Sequence, residues 1–361
     1  MKLVAPPARR TWLLRLRRNK AAMVGVVVIA LAVVTAIFAY LLAPDHSPYA
    51  NRIILEIGGQ KPGFTQRFLL MKKDRQQGNS ILQQLIHGRP DDYEFIPIAG
   101  WRHHGDSIIV DKYIDVGISE KISFHLSHLA KQPVVRRKFV LGTDRYGRDI
   151  LSRLIIGTRV SLSVGLITVV ISLTIGIFLG SLAGYFGGRT DDVVMWLINV
   201  IWSIPTLLLV FAFTLLLGKG FWQVFVAVGL TMWVNVARLV RGQVMVTKQL
   251  QYVEAARALG FPNSRIIARH ILPNIMGPVL VIAAANFASA IVIEAGLSFL
   301  GIGVQPPQPS WGLMIKENYN FIITQNPMLA LAPGFAIMLL VLSFNLLGNG
   351  LRDALNVRAK I

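Results

Sequence analysis

The chain has 361 residues, of which 53% are hydrophobic and only 15% charged, and its mean hydropathy is +0.54. This composition excludes an ordinary soluble globular protein. Lysine and arginine outnumber the acidic residues by 37 to 18, a net charge of +19, which in so apolar a chain indicates a protein at an anionic membrane leaflet rather than a nucleic-acid binder. Because the sequence contains no cysteine, disulfides, thiolate metal sites and thiol nucleophiles are excluded.

Uncharged runs long enough to cross a bilayer occur repeatedly along the chain. A hydrocarbon core of about 30 Å needs roughly 20 apolar residues per helix. The first run follows a basic tail at residues 1–20, but it is too long for a signal peptide and lacks a small-residue cleavage site, so we expect a retained anchor. The sequence therefore predicts an all-α polytopic membrane protein with six spans, at residues 21–43, 160–186, 193–218, 221–237, 278–300 and 328–351.

The distribution of lysine and arginine predicts the orientation of these spans. The basic segments are residues 1–20, 238–277 and 352–361, and six spans place all three on one side of the membrane. We therefore expect both termini to be cytoplasmic and the long polar stretch from residue 44 onward to lie outside.

The exterior stretch at 44–140 is long enough to form a small α+β insert domain, although a partly ordered loop is the alternative. Its sequence is strand-like at 52–57, 67–71, 93–98 and 107–114, and residues 131–138 resemble a basic linker. Asn79 with Ser80 is suited to cap a short helix through His87. A charged turn at 142–149 then precedes the second span, and we interpret it as an interfacial elbow that positions that span.

Enzyme signatures are missing from the sequence. It contains no GxxxxGK[ST], HExxH or GxSxG motif, and no predicted cytoplasmic loop is large enough for an ATPase domain. We therefore expect a protein that is not an enzyme. If ATP drives its activity, another chain must bind the nucleotide.

The segment between the fourth and fifth spans predicts two short helices joined by a turn. Glu254, Ala255 and Ala256 are strong helix formers, and Gly260 can adopt the left-handed conformation that ends a helix. Pro273 is expected to end the second helix. Such a rigid elbow beneath the membrane is suited to transmit force from a cytosolic partner.

This segment resembles the coupling loop of ABC importer permeases. The motif of that family reads EAA, three residues, Gly, nine residues, then Ile-x-Leu-Pro. His in place of its Ile is usual in the dipeptide and oligopeptide branch. The matching residues are Glu254, Ala255, Ala256, Gly260, Leu272 and Pro273, with His270 at the variable position.

Further blocks are similar to the second ("C") permease subunit of that branch, so that the resemblance covers residues 18–25 and 140–355. The exterior stretch is longer than usual for the family, and Asn349 and Asn356 stand where acidic residues are common. The similar blocks are Arg18–Gly25, Leu141–Asp149, Arg189–Asp192, Glu294–Gly301, Pro309–Gly312 and Gly350–Leu355.

The resemblance implies a six-helix type I permease in the bacterial inner membrane, forming half of the pathway of an ATP-driven importer of dipeptides or oligopeptides. The implied partners are a homologous second permease, two cytosolic ATPases that bind ATP and Mg, an extracytoplasmic substrate-binding protein, a peptide substrate and membrane lipid. The chain itself is expected to hold no cofactor or metal and to bind no nucleic acid. Import of nickel or another small solute, a proton-coupled secondary transporter, and a scaffold or sensor role of the exterior domain remain alternatives.

Three features within the spans also suggest roles. Gly176, Gly180 and Gly184 form two overlapping GxxxG units, which favour close helix packing either within the chain or against the partner permease. Pro205 is expected to bend the third span near the translocation path. Glu294 is a lone carboxylate in an apolar run, and it could pair with a cation, lock two helices together, or lie in a hydrated position near the outer surface.

Overall fold

The computed structural model describes residues 11–73, 80–115, 117–218, 220–324 and 326–355. Asn79 of the predicted helix cap and the tail residues 1–10 and 356–361 lie outside these ranges. The α-helices are α1 Thr11–Arg18, α2 Lys20–Ile37, α3 Ala39–Leu42, α4 Ile81–His87, α5 Ile150–Phe186, α6 Gly188–Trp202, α7 Thr206–Leu217, α8 Phe221–Thr247, α9 Gln251–Ala258, α10 Asn263–Arg265, α11 Leu272–Leu300, α12 Trp311–Asn318, α13 Phe321–Thr324 and α14 Met328–Leu355. The strands are β1 Phe64–Lys72, β2 Tyr93–His104, β3 Ser107–Asp115, β4 Ile118–His125 and β5 Leu129–Phe139.

The described residues contain five helices long and apolar enough to cross a membrane. They are α2, α5, α8, α14 and the helical stretch Asn263–Leu300, in which a π-helical turn at Ile266–Ile271 joins α10 to α11. The pair α6 and α7 passes the same test together but is bent by 92°, so the number reaches six if the pair is one span. The prediction of a helical polytopic membrane protein is therefore confirmed.

The third predicted span, at 193–218, is bent at Pro205 as expected, and the bend is a break of 92° between two helices. The chain leaves the helix after Trp202 and re-enters it at Thr206, and Pro205 occupies the position directly before α7. A proline cannot donate the backbone hydrogen bond that a continuous helix requires there. The break therefore divides this stretch into two helices.

Three helices extend beyond the predicted spans, because charged residues limit the apolar core of a helix without ending the helix. Helix α5 begins at Ile150 rather than at 160, and α8 continues to Thr247 rather than ending at 237. Helix α11 begins at Leu272 rather than at 278. On α8, Arg241 forms an ion pair with Asp191, so its charge is satisfied within the helical body.

The insert between α3 and α5 contains an antiparallel sheet of five strands in the order β4-β3-β2-β1-β5. Strands β4 and β5 lie at opposite edges, yet only residues 126–128 separate them. Because a short connection spans at most about 3.5 Å per residue, the sheet must curl until its edges approach. The concave side of the curl is filled by a cluster that includes Leu69, Ile96, Ile98, Ile108 and Val110.

Some expectations for the insert hold and others do not. Segments 67–71, 93–98 and 107–114 lie within β1, β2 and β3, and Ser80 forms a capping box with Gln83 at the start of α4. Segment 52–57 is not a strand, because it ends in a 3₁₀ turn that packs Ile54 and Ile57 against the sheet. Segment 131–138 is not a linker but part of β5, whose adjacent Val134 and Val135 pack into apolar clusters on different sides of the sheet.

The two ends of the long helices α5 and α8 lie beside different parts of the protein. Helices α5 and α8 begin beside the insert, which we call the insert end. They finish beside the segment 248–271, which we call the loop end.

Helix α2 packs against α14 so closely that a β-carbon on Gly25 would lie 2.6 Å from the carbonyl oxygen of Ser343.

Candidate coupling loop and translocation face

Helix α9 carries the EAA residues and has one buried and one exposed face. Val253 and Ala256, three positions apart, are buried against the body of the protein. Glu254 and Ala255 are exposed. Ala256 of the motif therefore anchors the helix, whereas Glu254 and Ala255 form part of an exposed surface.

The turn after α9 is shaped by Gly260. Its φ is +75°, a left-handed conformation that disfavours other residues, although a β-carbon there would meet nothing within 4 Å. The amide of Phe261 closes the turn on the carbonyl of Ala256 at 3.2 Å. Leu259, at the tip, is 73% exposed, and sequence reasoning missed it. A large apolar residue directly before the turn glycine was the available signal.

The second arm of the loop is tied to the first by ring stacking and hydrogen bonds. The His270 ring lies parallel to that of Phe261, with centroids 6.0 Å apart. The Asn274 amide donates to the His270 carbonyl at 2.6 Å and to the Tyr252 hydroxyl at 3.0 Å. Pro273 does not end a helix as predicted; it lies in the first turn of α11, where a missing N–H is tolerated. The two arms therefore form one rigid unit.

A single apolar cluster joins this unit to the spans. Ala256 and Ile266 are buried in it with Val244 of α8 and Val279 of α11, and Leu272 packs against its edge. Beside the cluster, the Tyr185 hydroxyl of α5 donates to the Asn263 side chain at 2.8 Å, and Lys248 donates to the Tyr185 carbonyl at 3.2 Å. The loop is therefore packed against α5, α8 and α11 together.

A cavity of about 420 Å³ lies between α6, α7, α8, α11 and α14, midway along the long spans. Asn235, Ser289 and Asn345 are exposed there on three different helices. Polar side chains facing lipid would be costly, so this face must meet water or another subunit. Sequence reasoning missed these residues, although a polar residue inside each apolar run was a usable signal. The polar lining residues are Thr206, Thr231, Asn235, Asn286, Ser289 and Asn345.

Pro205 lies at the edge of this cavity. Its neighbours Trp202 and Thr206, on either side of the helix break, are lining residues. The Arg238 guanidinium lies 3.6 Å from the centre of the Trp202 ring. The bend at Pro205 thus places the ends of two half-helices beside the cavity.

Glu294 is fully buried, so a hydrated position near the outer surface does not fit. Its carboxylate accepts a hydrogen bond of 2.6 Å from the Ser298 hydroxyl, whose oxygen accepts from the Val304 amide at 3.0 Å. Glu294 is also absent from the cavity lining. The contacts therefore fix the loop after α11 to that helix.

The glycine stripe of α5 faces α8 of the same chain. A β-carbon on Gly176 would lie 2.5 Å from Val236, and one on Gly180 would lie 2.5 Å from the Ala237 carbonyl oxygen. One on Gly184 would lie 2.6 Å from the carbonyl oxygen of Arg241. Hydrogen atoms at these positions let the two backbones approach along about two helical turns.

The charged turn at 142–149 forms a buried network at the insert end. Arg148 donates to Asp144 at 2.6 Å and to Glu317 of α12 at 2.7 Å. Arg153, in the first turn of α5, is fully buried and lies 3.5 Å from Glu317. Sequence reasoning missed Arg153 and Glu317, because nothing in the local sequence reveals a partner so distant along the chain.

Comparison with known proteins identifies the class. Residues 176–361 match the sequence model of the binding-protein-dependent transport system inner membrane component. Residues 7–57 match the model of the N-terminal transmembrane domain of oligopeptide transport permease C. The chain therefore belongs to the family of inner membrane components of binding-protein-dependent transport systems, which confirms the resemblance found in the sequence.

Curated relatives extend over most of the chain. A dipeptide transport system permease of Alkalihalophilus pseudofirmus is 37% identical over 287 residues, covering 75% of this chain and 94% of the relative. A glutathione transport system permease of Pectobacterium atrosepticum is 44% identical, covering 61% and 73%. An oligopeptide transport system permease of Bacillus subtilis is 40% identical, covering 61% and 72%.

Proposed function

We propose that this chain is a permease subunit of an ATP-driven ABC importer of dipeptides or oligopeptides, with the type I fold. The observation that carries the proposal is the family membership together with the similarity to dipeptide, oligopeptide and glutathione permeases. The rigid loop with its exposed face supports it physically. The partners are a homologous second permease, two cytosolic ATPases that bind ATP and Mg, and an extracytoplasmic substrate-binding protein.

The exposed face of the coupling loop is the contact for one ATPase. This face consists of a glutamate, two small residues and one highly exposed leucine: Glu254, Ala255, Gly260 and Leu259. The leucine side chain is suited to enter a pocket on a partner. Closure of the ATPases on ATP pushes this face, and the buried cluster around Ala256 carries the movement to the spans. The bundle then alternates between inward and outward access, two states of similar free energy.

The cavity beside Pro205 is this chain's half of the translocation pathway. Its open face, with Asn235 and Asn345, is completed by the second permease. Carboxamides both donate and accept hydrogen bonds, so they solvate a peptide backbone without selecting one side-chain charge. Pro205 lets α6 and α7 move separately at the pathway, whereas Glu294 is a structural lock outside it.

We place both termini and the coupling loop in the cytoplasm and the insert outside the inner membrane. The insert and the loop lie at opposite ends of α5 and α8, which supports opposite sides. The basic residues of segment 238–277 follow the positive-inside rule.

Leu259→Ser tests the proposal, with Ile323→Ser as the matched control. Ile323 is 90% exposed, but it lies on α13 at the insert end. After purification in mild detergent, we expect the wild type and Ile323→Ser to retain two ATPase chains and to show hydrolysis stimulated by peptide with the binding protein. Leu259→Ser should lose the ATPases and the stimulation.

Other outcomes of the same assay distinguish the alternatives. Stimulation by a nickel salt but by no peptide would assign the chain to a metal importer. Recovery of this chain alone, transporting under a proton gradient, would overturn the ATP-driven mechanism. The position of Glu294 outside the cavity already makes a carboxylate proton relay there a poor explanation.

A further inference from the structure

A groove of about 730 Å³ lies on the insert, between the segment 47–56, the neighbouring ends of β1 and β2, and Pro307 of the loop after α11. We call it the insert groove. Its volume is typical of sites for small organic ligands. The groove lies apart from the coupling loop, the cavity between the spans and the buried ion network, so none of them explains it.

One side of the insert groove is a fixed wall. Arg52 donates to both carboxylate oxygens of Asp91, at 2.6 and 2.5 Å, and lies 3.0 Å from Asp45. Its guanidinium also lies 4.0 Å from the centre of the Phe95 ring. These charges are satisfied by each other, so they hold the shape of the groove rather than offer binding partners.

Other charges of the groove are loosely held. Glu56 and Lys112 are 3.5 Å apart, and each side chain is about a third exposed. Lys73 and Glu94 are exposed on the rim. An ammonium group could replace Lys112 at Glu56, and a carboxylate could replace Glu56 at Lys112. The groove therefore offers both signs of charge along a wall that includes Phe95.

Tyr49 divides the groove from a second pocket. Its φ is +61° and that of Ala50 is +44°, and such left-handed conformations of non-glycine residues cost about 1–3 kcal/mol each and concentrate at functional sites. Tyr49 lines both spaces, and its amide donates to the Tyr40 hydroxyl at 3.2 Å. The second pocket, of about 360 Å³, reaches Trp222 at the start of α8.

We propose that the insert groove binds short peptides through their free amino and carboxyl ends, as a receiving site on the permease itself. The inference rests on the proposed peptide-import function for the identity of the ligand. Glu56 and Lys112 separate from each other to bind the two charged ends, which lie up to about 10 Å apart in an extended tripeptide. The wall that includes Phe95 contacts the peptide, and strained Tyr49 separates the bound peptide from the pocket that leads to the spans.

The test uses the assembled transporter in lipid nanodiscs without the binding protein. The natural chain contains no cysteine, so Ile53→Cys places a single thiol of this chain in the groove, where Ile53 is 53% exposed. The matched control is Ile118→Cys, on edge strand β4 and 57% exposed. The rate of maleimide labelling of this chain is measured by mass spectrometry with tri-alanine or with tri-alanine capped at both ends.

We expect tri-alanine at about ten times its dissociation constant to slow labelling of Ile53→Cys about tenfold. Labelling of Ile118→Cys should not change, and capped tri-alanine should not protect. Adding Glu56→Gln or Lys112→Gln should weaken the affinity about tenfold, the loss of one charge-assisted hydrogen bond. Lys112→Arg should retain protection.

Equal protection by the capped peptide, or equal slowing at both thiols, would overturn the proposal. In a separate measurement the substrate-binding protein is added. If it protects the thiol and tri-alanine does not, the proposal is overturned and the groove is assigned to protein docking. Peptide uptake without protection at Ile53→Cys would show that the groove is not a peptide-binding site, while the proposed import function would stand. Protection without peptide uptake would support peptide binding in the groove and contradict the import function.

Discussion

Arg148 donates a hydrogen bond of 2.7 Å to Glu317, although the two residues are 169 positions apart in the chain. Their side chains are only 3% and 7% exposed. Since Arg148 also pairs with Asp144, and Glu317 is approached by Arg153, one buried network joins the end of the insert to α5 and α12. The end of the insert, the start of α5 and helix α12 are therefore held together.

Glu317→Gln should destabilise the protein by about 3–5 kcal/mol, because it leaves the buried guanidinium groups of Arg148 and Arg153 with too little negative charge. The measurement is thermal unfolding of the purified assembly. The control is Asp92→Asn, which breaks the more exposed ion pair with Arg89 and should cost less than about 1 kcal/mol. Equal effects of the two variants would show that the network does not hold the insert end together.

Gly180→Ala should separate α5 from α8, because the new methyl group would lie 2.5 Å from the Ala237 carbonyl oxygen and 2.9 Å from Val240. We expect a loss of about 1–3 kcal/mol in stability. Gly242→Ala is the matched control, since a β-carbon there meets nothing within 4 Å. It should be neutral or stabilise α8 by up to about 1 kcal/mol. The same loss in both variants would contradict the packing argument.

The sequence predicted the apolar spans well, because burial in lipid imposes a run of uncharged residues that is visible locally. It failed where tertiary contacts decide the structure. Arg238 ends an apolar run, yet α8 continues past it because its charge lies over Trp202. The strand at 131–138 was taken for a linker, because Val134 and Val135 are adjacent and pack on different sides of the sheet, and three basic residues follow them, so no alternating pattern is visible.

The coupling loop was predictable because its residues are adjacent in sequence and follow a fixed spacing. Leu259 was missed, although its position directly before the turn glycine was a usable signal. The cavity residues Asn235, Ser289 and Asn345 come from three helices, and only the fold shows that they line one cavity. Long-range juxtaposition is therefore the part of the site that the sequence does not reveal.

Ser298→Ala should release the loop after α11. The Glu294 carboxylate would lose its hydrogen bond from Ser298, and the Val304 amide would lose its acceptor, at a cost of about 1–3 kcal/mol for each buried group left unpaired. Thermal unfolding should show the loss. Glu294→Gln, which keeps the side-chain shape, should lose less and should retain uptake. Loss of uptake with normal stability in Glu294→Gln would instead place Glu294 in the mechanism.

Gly260→Val should uncouple ATP hydrolysis from uptake, because a β-branched residue at φ +75° is strained and the turn would rearrange. Gly260→Asn is the control, since asparagine tolerates the left-handed conformation and has open space there. Glu254→Lys, which reverses the charge of the exposed face, should also uncouple. Normal peptide-stimulated hydrolysis in Gly260→Val would contradict the role of the turn.

Asn345→Leu should lower peptide uptake about fivefold, because the pathway loses a side chain that replaces water around the peptide backbone, a loss of about 1 kcal/mol. Assembly with the ATPases should not change, since Asn345 is exposed in the cavity and remote from the coupling loop. Asn349→Leu makes the same substitution one turn later on α14, outside the cavity lining, and should transport normally. Uptake measured in proteoliposomes compares the two. Equal uptake would mean that the peptide does not pass this face of the bundle.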